Sequence, residues 1–416
     1  MTPEEWLRGY ALLALRVNRQ VTGDGGATML VYRGPREWSE QVEREDPPPP
    51  GRLADDAEAL LDGPPFEPGR VRYLTAQVRA LRAVARRLAG EELPLPEYAR
   101  QCLGVEAPWV PREVFEEAHA QLDRALPAVD RRALPGPGRQ GRPGGSGSLA
   151  ERLRAWQAAH TLPVERLDRL PALVERAVAE TRRRTHALVP LPDGEVVECR
   201  LQRGAHYLAA GHYAGGLRST IFINADLPFN LADLLYVVAH EGHPGHIAES
   251  MLKELVLIEE QGRLDQQVRF MLGPSFVISE GLGLHAQDII FTDDEAQAWL
   301  TGNVLAEQGI APDGSDFAAV HRARTALFGV WANAAFLVAE GRPDHEIADY
   351  LSRWALLSDA EAAAVLGSLR TAGMGLYTLG YYHGWRLLSS WLDHPDRAVR
   401  VRRLLTEQLL PADLEP

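Results

Sequence analysis

The run His240-Glu241-Gly242-His243-Pro244-Gly245-His246 constrains this chain more than any other feature. It ends Leu231-Ala-Asp-Leu-Leu-Tyr-Val-Val-Ala-His240, an amphipathic stretch that reads as a helix. Pro244 cannot donate to the carbonyl of residue 240, and it disfavours helix at residue 243. Gly245 adds local freedom. An unbroken helix would set His240 and His246 about 120° apart, at about 100° per residue. The spacing instead predicts a break at Pro244-Gly245. Pro244 would then open a second helix, and His246 would swing back towards His240.

Convergence would give these side chains a chemistry. A hydrolytic zinc site needs neutral imidazoles and a carboxylate as ligands, an open position for water, and a second carboxylate as base. The common helical form, H-E-x-x-H, puts two histidines on one face and a glutamate beside the first. Here Pro244 takes the second ligand's place. His246 is favoured as second ligand, with His243 the alternate. A third ligand is found in Phe276-Val-Ile-Ser-Glu280-Gly-Leu-Gly-Leu-His285, where an acid stands in an apolar stretch. Buried carboxylates are rare unless paired or metal-bound, so Glu280 is preferred and His285 is the weaker candidate. One long helix over 247–271 and a turn would return Glu280 to the histidines. A structural zinc closed by four protein ligands needs no base, so Glu241 argues for catalysis with one zinc ion per chain.

The other 400 or so residues are mostly helical in pattern. Residues 1–133 read as an N-terminal helical region, beginning with Trp6, Tyr10, Leu13 and Val17 at helical spacing. Residues 134–148 form a Pro/Gly-rich linker or loop, and 149–416 a catalytic region. Within it a small sheet is expected over 186–224, including a hairpin around Pro192-Asp193-Gly194 and a strand at Ser219–Asn224. From Asn230 onward everything reads helical, the zinc helices falling within 230–290. Ser358-Asp359-Ala360-Glu361 is a capping-box start. The expected fold is mainly α: a large multi-helix protein with one small antiparallel β-sheet next to a zinc-binding helix pair.

Composition narrows the partners. The net charge is -13 and the basic residues are dispersed, which disfavours nucleic acid. Nowhere do 18 apolar residues follow one another, so no membrane span is expected. The N-terminus lacks the basic start and apolar run of a signal peptide, and Cys102 and Cys199 suggest no disulfide framework. The expectation is a cytoplasmic protein.

The run His240-Glu241-x-x-Pro244-Gly245-His246 resembles H-E-x-x-P-G-H-H of the bacterial domain-of-unknown-function 885 family, of the same broad clan as the thermolysin-like gluzincin peptidases. Ser279-Glu280-Gly281-Leu-Gly-Leu-His-Ala286 resembles its second signature, E-G-W-A-L-Y-x-E. Tyr377-Thr-Leu-Gly380 is similar to its Y-x-x-G, and Leu15-Arg16-Val-Asn-Arg19 and Val31-Tyr32-Arg33-Gly34-Pro35 to its opening. The resemblance implies His240, His246 and Glu280 as ligands and Glu241 as catalytic base. Three positions depart from the pattern: Ile247 replaces the second paired histidine, Leu282 the aromatic, and Gln287 the later glutamate.

A tetrahedral oxyanion needs a donor. Tyr377 is the first choice by its family position and His383 the second, in a cluster with Tyr381 and Tyr382. In this clan a sheet edge holds the substrate backbone, which suggests Gly216, Arg218 and Asn224 as substrate-binding residues. Arg370 is a weak candidate for a substrate carboxylate, and His206, His212 and His321 read as structural or surface residues. The expected activity is a zinc metallopeptidase acting on peptides. The alternatives are a zinc hydrolase for another amide or ester, and a helical binding protein with a silent metal site.

Overall fold

A computed structural model describes residues 1–23, 28–127, 147–292 and 294–415. Residues 134–146 of the expected linker lie outside them. The protein is mainly helical, with two small sheets. The N-terminal region contains α1 (Pro3–Thr22), β1 (Leu30–Tyr32), α2 (Arg36–Arg44), α3 (Pro50–Leu61), α4 (Pro68–Leu88), α5 (Leu95–Leu103) and α6 (Arg112–Ala125). Helix α1 starts as its sequence predicts. Thr2 and Glu5 form a capping box, Pro3 occupies the first turn, and Trp6, Tyr10, Leu13 and Val17 enter the core.

After α7 (Leu149–His160) and α8 (Leu170–Leu188) come β2 (Val196–Gln202), β3 (Ala209–Gly215) and β4 (Arg218–Asn224). The strand order is β2-β4-β3. Strand β3 pairs antiparallel with β4, but β2 runs parallel to it, so the sheet is mixed rather than purely antiparallel. The expected hairpin over 186–201 does not form. Leu170, Leu173, Val174, Ala177, Val178, Thr181 and Thr185 keep a helical stripe buried, and α8 runs on to Leu188. Pro192-Asp193-Gly194 therefore joins a helix to a strand. Arg182 fixes this turn by donating to the Pro192 carbonyl and to Glu195.

The chain continues through α9 (Leu234–Glu241), α10 (His246–Lys253), a π-helical turn (Glu254–Glu260), β5 (Val268–Phe270) and α11 (Pro274–Ile290). The long helix expected over 247–271 is replaced by this shorter sequence. Strand β5 pairs antiparallel with β1, Leu30 opposite Phe270, tying the N-terminal region to the centre. Then follow α12 (Glu295–Leu300), α13 (Phe317–Ala326), α14 (Phe328–Ala339), α15 (Asp344–Trp354), α16 (Asp359–Leu369), α17 (Met374–Leu392) and α18 (Arg397–Thr406). Ser358 and Glu361 make the expected capping box of α16.

Helix α11 is buried around nearly its whole circumference, which makes it the central helix. Its glycines set the distances to its neighbours. A Cβ on Gly281 would lie 2.5 Å from the Gly384 carbonyl oxygen of α17, and one on Gly384 would lie 2.2 Å from that of Val277. The two backbones therefore touch. On the α9 side, a Cβ on Gly283 would meet the His240 ring at 2.6 Å. No described helix is long and apolar enough to cross a membrane.

Candidate metal centre

Helix α9 ends at Glu241 and α10 begins at His246, so the helix breaks where Pro244-Gly245 predicts. Gly245 is obligatory in this geometry, because a Cβ there would lie 1.8 Å from the His240 carbonyl oxygen. The Gly245 N–H bonds the Ala239 carbonyl at 3.0 Å, closing the connection tightly. The result carries the His246 ring to the His240 ring, 3.1 Å between their Nε2 atoms.

Glu280 completes the triangle. Its Oε2 lies 3.5 Å from His240 Nε2 and 3.6 Å from His246 Nε2. Atoms ~2.0–2.1 Å from a tetrahedral zinc stand about 3.3 Å apart, so these edges match one face of such a site. Glu280 is 2 % exposed, and its Oε2 has no hydrogen-bond partner among the described residues. Its other oxygen, Oε1, accepts a 2.6 Å bond from the Tyr377 hydroxyl. Glu241 stands beside the triangle, Oε1 4.0 Å from His240 Nε2, and shares with both histidines a space that could hold a cation. Its Oε2 is held by the Gly211 N–H of β3 at 2.7 Å. Strand β3 is a sheet edge, which leaves that N–H free of the ladder.

The electrostatics call for a positive charge here. Burial alone would lower the His246 pKa, but Glu280 and Glu241 outweigh it and raise it to about 9. Burial alone would raise that of Glu280, yet the two histidines hold it well below the usual carboxylate range.

Supporting residues fix the ligands. His246 Nδ1 lies 3.2 Å from Ser279 Oγ, and the Ser279 hydroxyl donates to Glu249 at 2.5 Å. The serine proton is thus engaged, so Nδ1–H must donate to Oγ, and Nε2 faces the triangle, where a bound cation would replace its proton. Glu249 is itself neutralised by Lys253 at 2.7 Å and Arg269 at 2.9 Å. Tyr381 lies almost parallel to the His240 ring, centroids 6.3 Å apart, and edge-on to Tyr377.

Several expected residues lie elsewhere. His243, the alternate ligand, is fully buried with Nε2 2.9 Å from Glu195 Oε1, a carboxylate also paired with Arg182. His285 bonds the Trp385 carbonyl. Tyr377 spends its proton on Glu280, which conflicts with its expected role as oxyanion donor. His383 packs against Tyr382, and burial lowers its pKa to about 4. It is two residues past Tyr381 and so roughly 200° round α17. Gly216 sits in the β3–β4 turn with its N–H on Glu254, and Arg218 is exposed. Asn224 is buried and clamps the preceding loop through the Ala205 and Tyr207 carbonyls. These three fail to reach the cluster because β3, not β4, is the strand beside it. Arg370 pairs with Asp344 at the surface. Ile247 and Leu282 are core residues, and Gln287 is buried.

Sequence reasoning missed Gly211, Ser279, Glu249 and Tyr207. Gly211 carried a signal, a glycine inside a strand where another backbone approaches closely. Glu249 is one turn after His246 and Ser279 adjoins Glu280. Tyr207 was marked by nothing; burial and the Glu241 charge raise its phenol pKa.

No family model matches the chain, and no curated protein matches it. Among solved structures, a candidate lipoprotein from Colwellia psychrerythraea aligns with 87% of this chain at TM-score 0.50 and 16% identity. A second candidate lipoprotein, of unknown function, from Shewanella oneidensis aligns with 96% at TM-score 0.49 and 12% identity, covering 68% of its own length. The structure of Pyrococcus furiosus carboxypeptidase Apo-Mg aligns with 100% of this chain at TM-score 0.40 and 13% identity, covering 94% of its own length. This chain spans 65% of the Colwellia protein, and what the two have in common is the fold.

Proposed function

We propose that this chain is a zinc-dependent hydrolase of the metallopeptidase kind, belonging to the domain-of-unknown-function 885 family. One observation carries the reading. Two imidazole nitrogens and an unpartnered, buried carboxylate oxygen meet at 3.1 to 3.6 Å, with a second carboxylate alongside. A buried oxygen without a donor is costly unless a cation supplies the missing interaction. The donor set, two histidines and one glutamate, suits zinc with an open position.

His240, His246 and Glu280 would hold the ion. Bound zinc supplies a lowered pKa for water and a polarised scissile carbonyl. Glu241 takes the proton of the attacking water and delivers it to the leaving amine. The Gly211 N–H keeps its carboxylate turned to that task. Tyr381, not Tyr377, is the donor to the tetrahedral oxyanion, since Tyr377 is committed to Glu280. Substrate backbone lies along the open edge of β3. Ile247 and Leu282 are buried apolar side chains, and the three ligand atoms meet without a histidine at 247 or an aromatic at 282.

The test is Glu241→Gln. It should keep stoichiometric zinc and lose peptide hydrolysis. Hydrolysis at the parent rate would refute the mechanism.

A further inference from the structure

Strand β2 is an edge of the three-stranded sheet, at the opposite side from β3. No backbone group of the described residues bonds its outer side. We propose that this edge pairs antiparallel with β2 of a second copy of this chain, about a two-fold axis at Cys199. The pairing joins two sheets into one and leaves the β3 edge of each, beside Glu241, free. It does not depend on the hydrolase reading.

The ladder shows which groups are available. The Val196 N–H bonds the Leu217 carbonyl at 2.9 Å, and the Gln202 carbonyl accepts from the Ala225 N–H at 2.8 Å. Along a strand, the residues that bond one neighbour alternate with those that face the other side. Val196, Glu198, Arg200 and Gln202 therefore turn their backbone groups to β4, and Val197, Cys199 and Leu201 turn theirs outward.

An open row of this kind is a template for another strand, and edges are ordinarily blunted by proline, lysine or a bulge. Strand β3 is blunted. The Glu241 backbone packs against Gly211, and the register shifts between Tyr213 and Gly215. Strand β2 is not. Its 7 residues, Val-Val-Glu-Cys-Arg-Leu-Gln, hold one register throughout and include no Pro, Gly or Lys.

Charge selects both the partner and the register. With Cys199 at the centre, Glu198 stands opposite Arg200 of the second copy, and Arg200 opposite its Glu198. Centring on Glu198 or on Arg200 sets like charges face to face, which is destabilising. Glu198 and Arg200 pair within the strand at 2.7 Å and are exposed there, so two copies close a cluster of alternating charge. The other face agrees. Val197, Cys199 and Leu201 are half-buried and pack against the core on the α8 side. In the same register Val197 meets Leu201 of the second copy, and the apolar row continues from one chain into the next. About six backbone hydrogen bonds form between the outward groups. The two-fold axis uses each β2 edge once, so assembly stops at the dimer. One strand pair is a small interface, and a dissociation constant on the order of 10 μM is expected.

The experiment is sedimentation equilibrium of the full chain with the charges exchanged. The parent should show a monomer–dimer equilibrium. Glu198→Arg and Arg200→Glu should each raise the dissociation constant about tenfold or more, since each sets like charges opposite one another at two places. Mixed together, the two variants should form a heterodimer near the parent affinity. Val197→Pro removes an outward N–H without touching the β4 ladder and should leave a folded monomer. A parent that stays monomeric at about 200 μM, more than tenfold above the expected constant, overturns the proposal. So does a dimer that neither charge variant weakens, or a pair of variants that fails to associate on mixing.

Discussion

Glu249 and Glu280 are both buried carboxylates on neighbouring helices, joined through Ser279 and His246, and they are neutralised in opposite ways. Glu249 meets Lys253 and Arg269, and Ser279 donates to it. Glu280 meets two imidazoles and a phenol, and one of its oxygens is left without a donor. A carboxylate closed by protein cations is a structural joint. One aimed at imidazoles with an oxygen to spare is a place for a cation from outside. The same helix pair supplies both, and the first holds the ligands of the second in place.

Substituting each glutamate in turn separates the two roles. Glu280→Gln should abolish zinc binding and lower hydrolysis by at least about 10³-fold, since the ion supplies the nucleophile's acidity. It should disturb unfolding of the metal-free protein less than Glu249→Gln does. The latter leaves Arg269 and Lys253 unpaired in the core and should destabilise the fold by about 3–5 kcal/mol in denaturant titration. Equal destabilisation by both would erase the distinction.

This distinction was only half legible in the sequence. Glu280 stood out as an acid in an apolar run. Glu249 did not, because its partners Arg269 and Ser279 are 20 and 30 residues away and meet it only through the turn at β5. The helix break was legible because Pro244 and Gly245 act locally. His243 is taken up by Glu195, an acid 48 residues upstream of it, whereas His246 stands beside His240, and nothing local in the sequence marks that difference. The sheet was misjudged for a related reason. Leu188-Val189 fits a strand or a helix end, and the buried stripe of α8 decides for the helix. Gly216, Arg218 and Asn224 were assigned to the cleft because the clan holds substrate on a sheet edge and their strand precedes the zinc helix, whereas the backbone N–H that meets Glu241 belongs to Gly211 of the edge strand β3.

Smaller effects refine the comparison. Tyr381→Phe should lower kcat by about 10²–10³ with zinc retained. Tyr377→Phe should instead weaken zinc affinity by about 10–100-fold, because it frees Glu280 Oε1. If the two effects are exchanged, the tyrosine roles are reversed.

Acid should separate the glutamates as well. Burial raises the Glu249 pKa, but Arg269 and Lys253 outweigh it and bring it to about 2, against an ordinary 4.5. Its contribution is therefore complete above about pH 4.5 and is lost as the pH falls towards 2, a loss on the order of 3 kcal/mol. In Glu249→Gln that part of the acid sensitivity should vanish from the pH dependence of unfolding. Arg218→Ala, at an exposed position of β4, should change neither zinc affinity nor hydrolysis measurably.

The central claim is that His240, His246 and Glu280 form one zinc site. Its most direct test is zinc titration of chelator-stripped protein, comparing the parent with His246→Ala and His243→Ala. One zinc per chain in the parent and in any folded His243→Ala, and none in His246→Ala, is the expected result. Stoichiometric zinc in His246→Ala, or none in the parent, would contradict it.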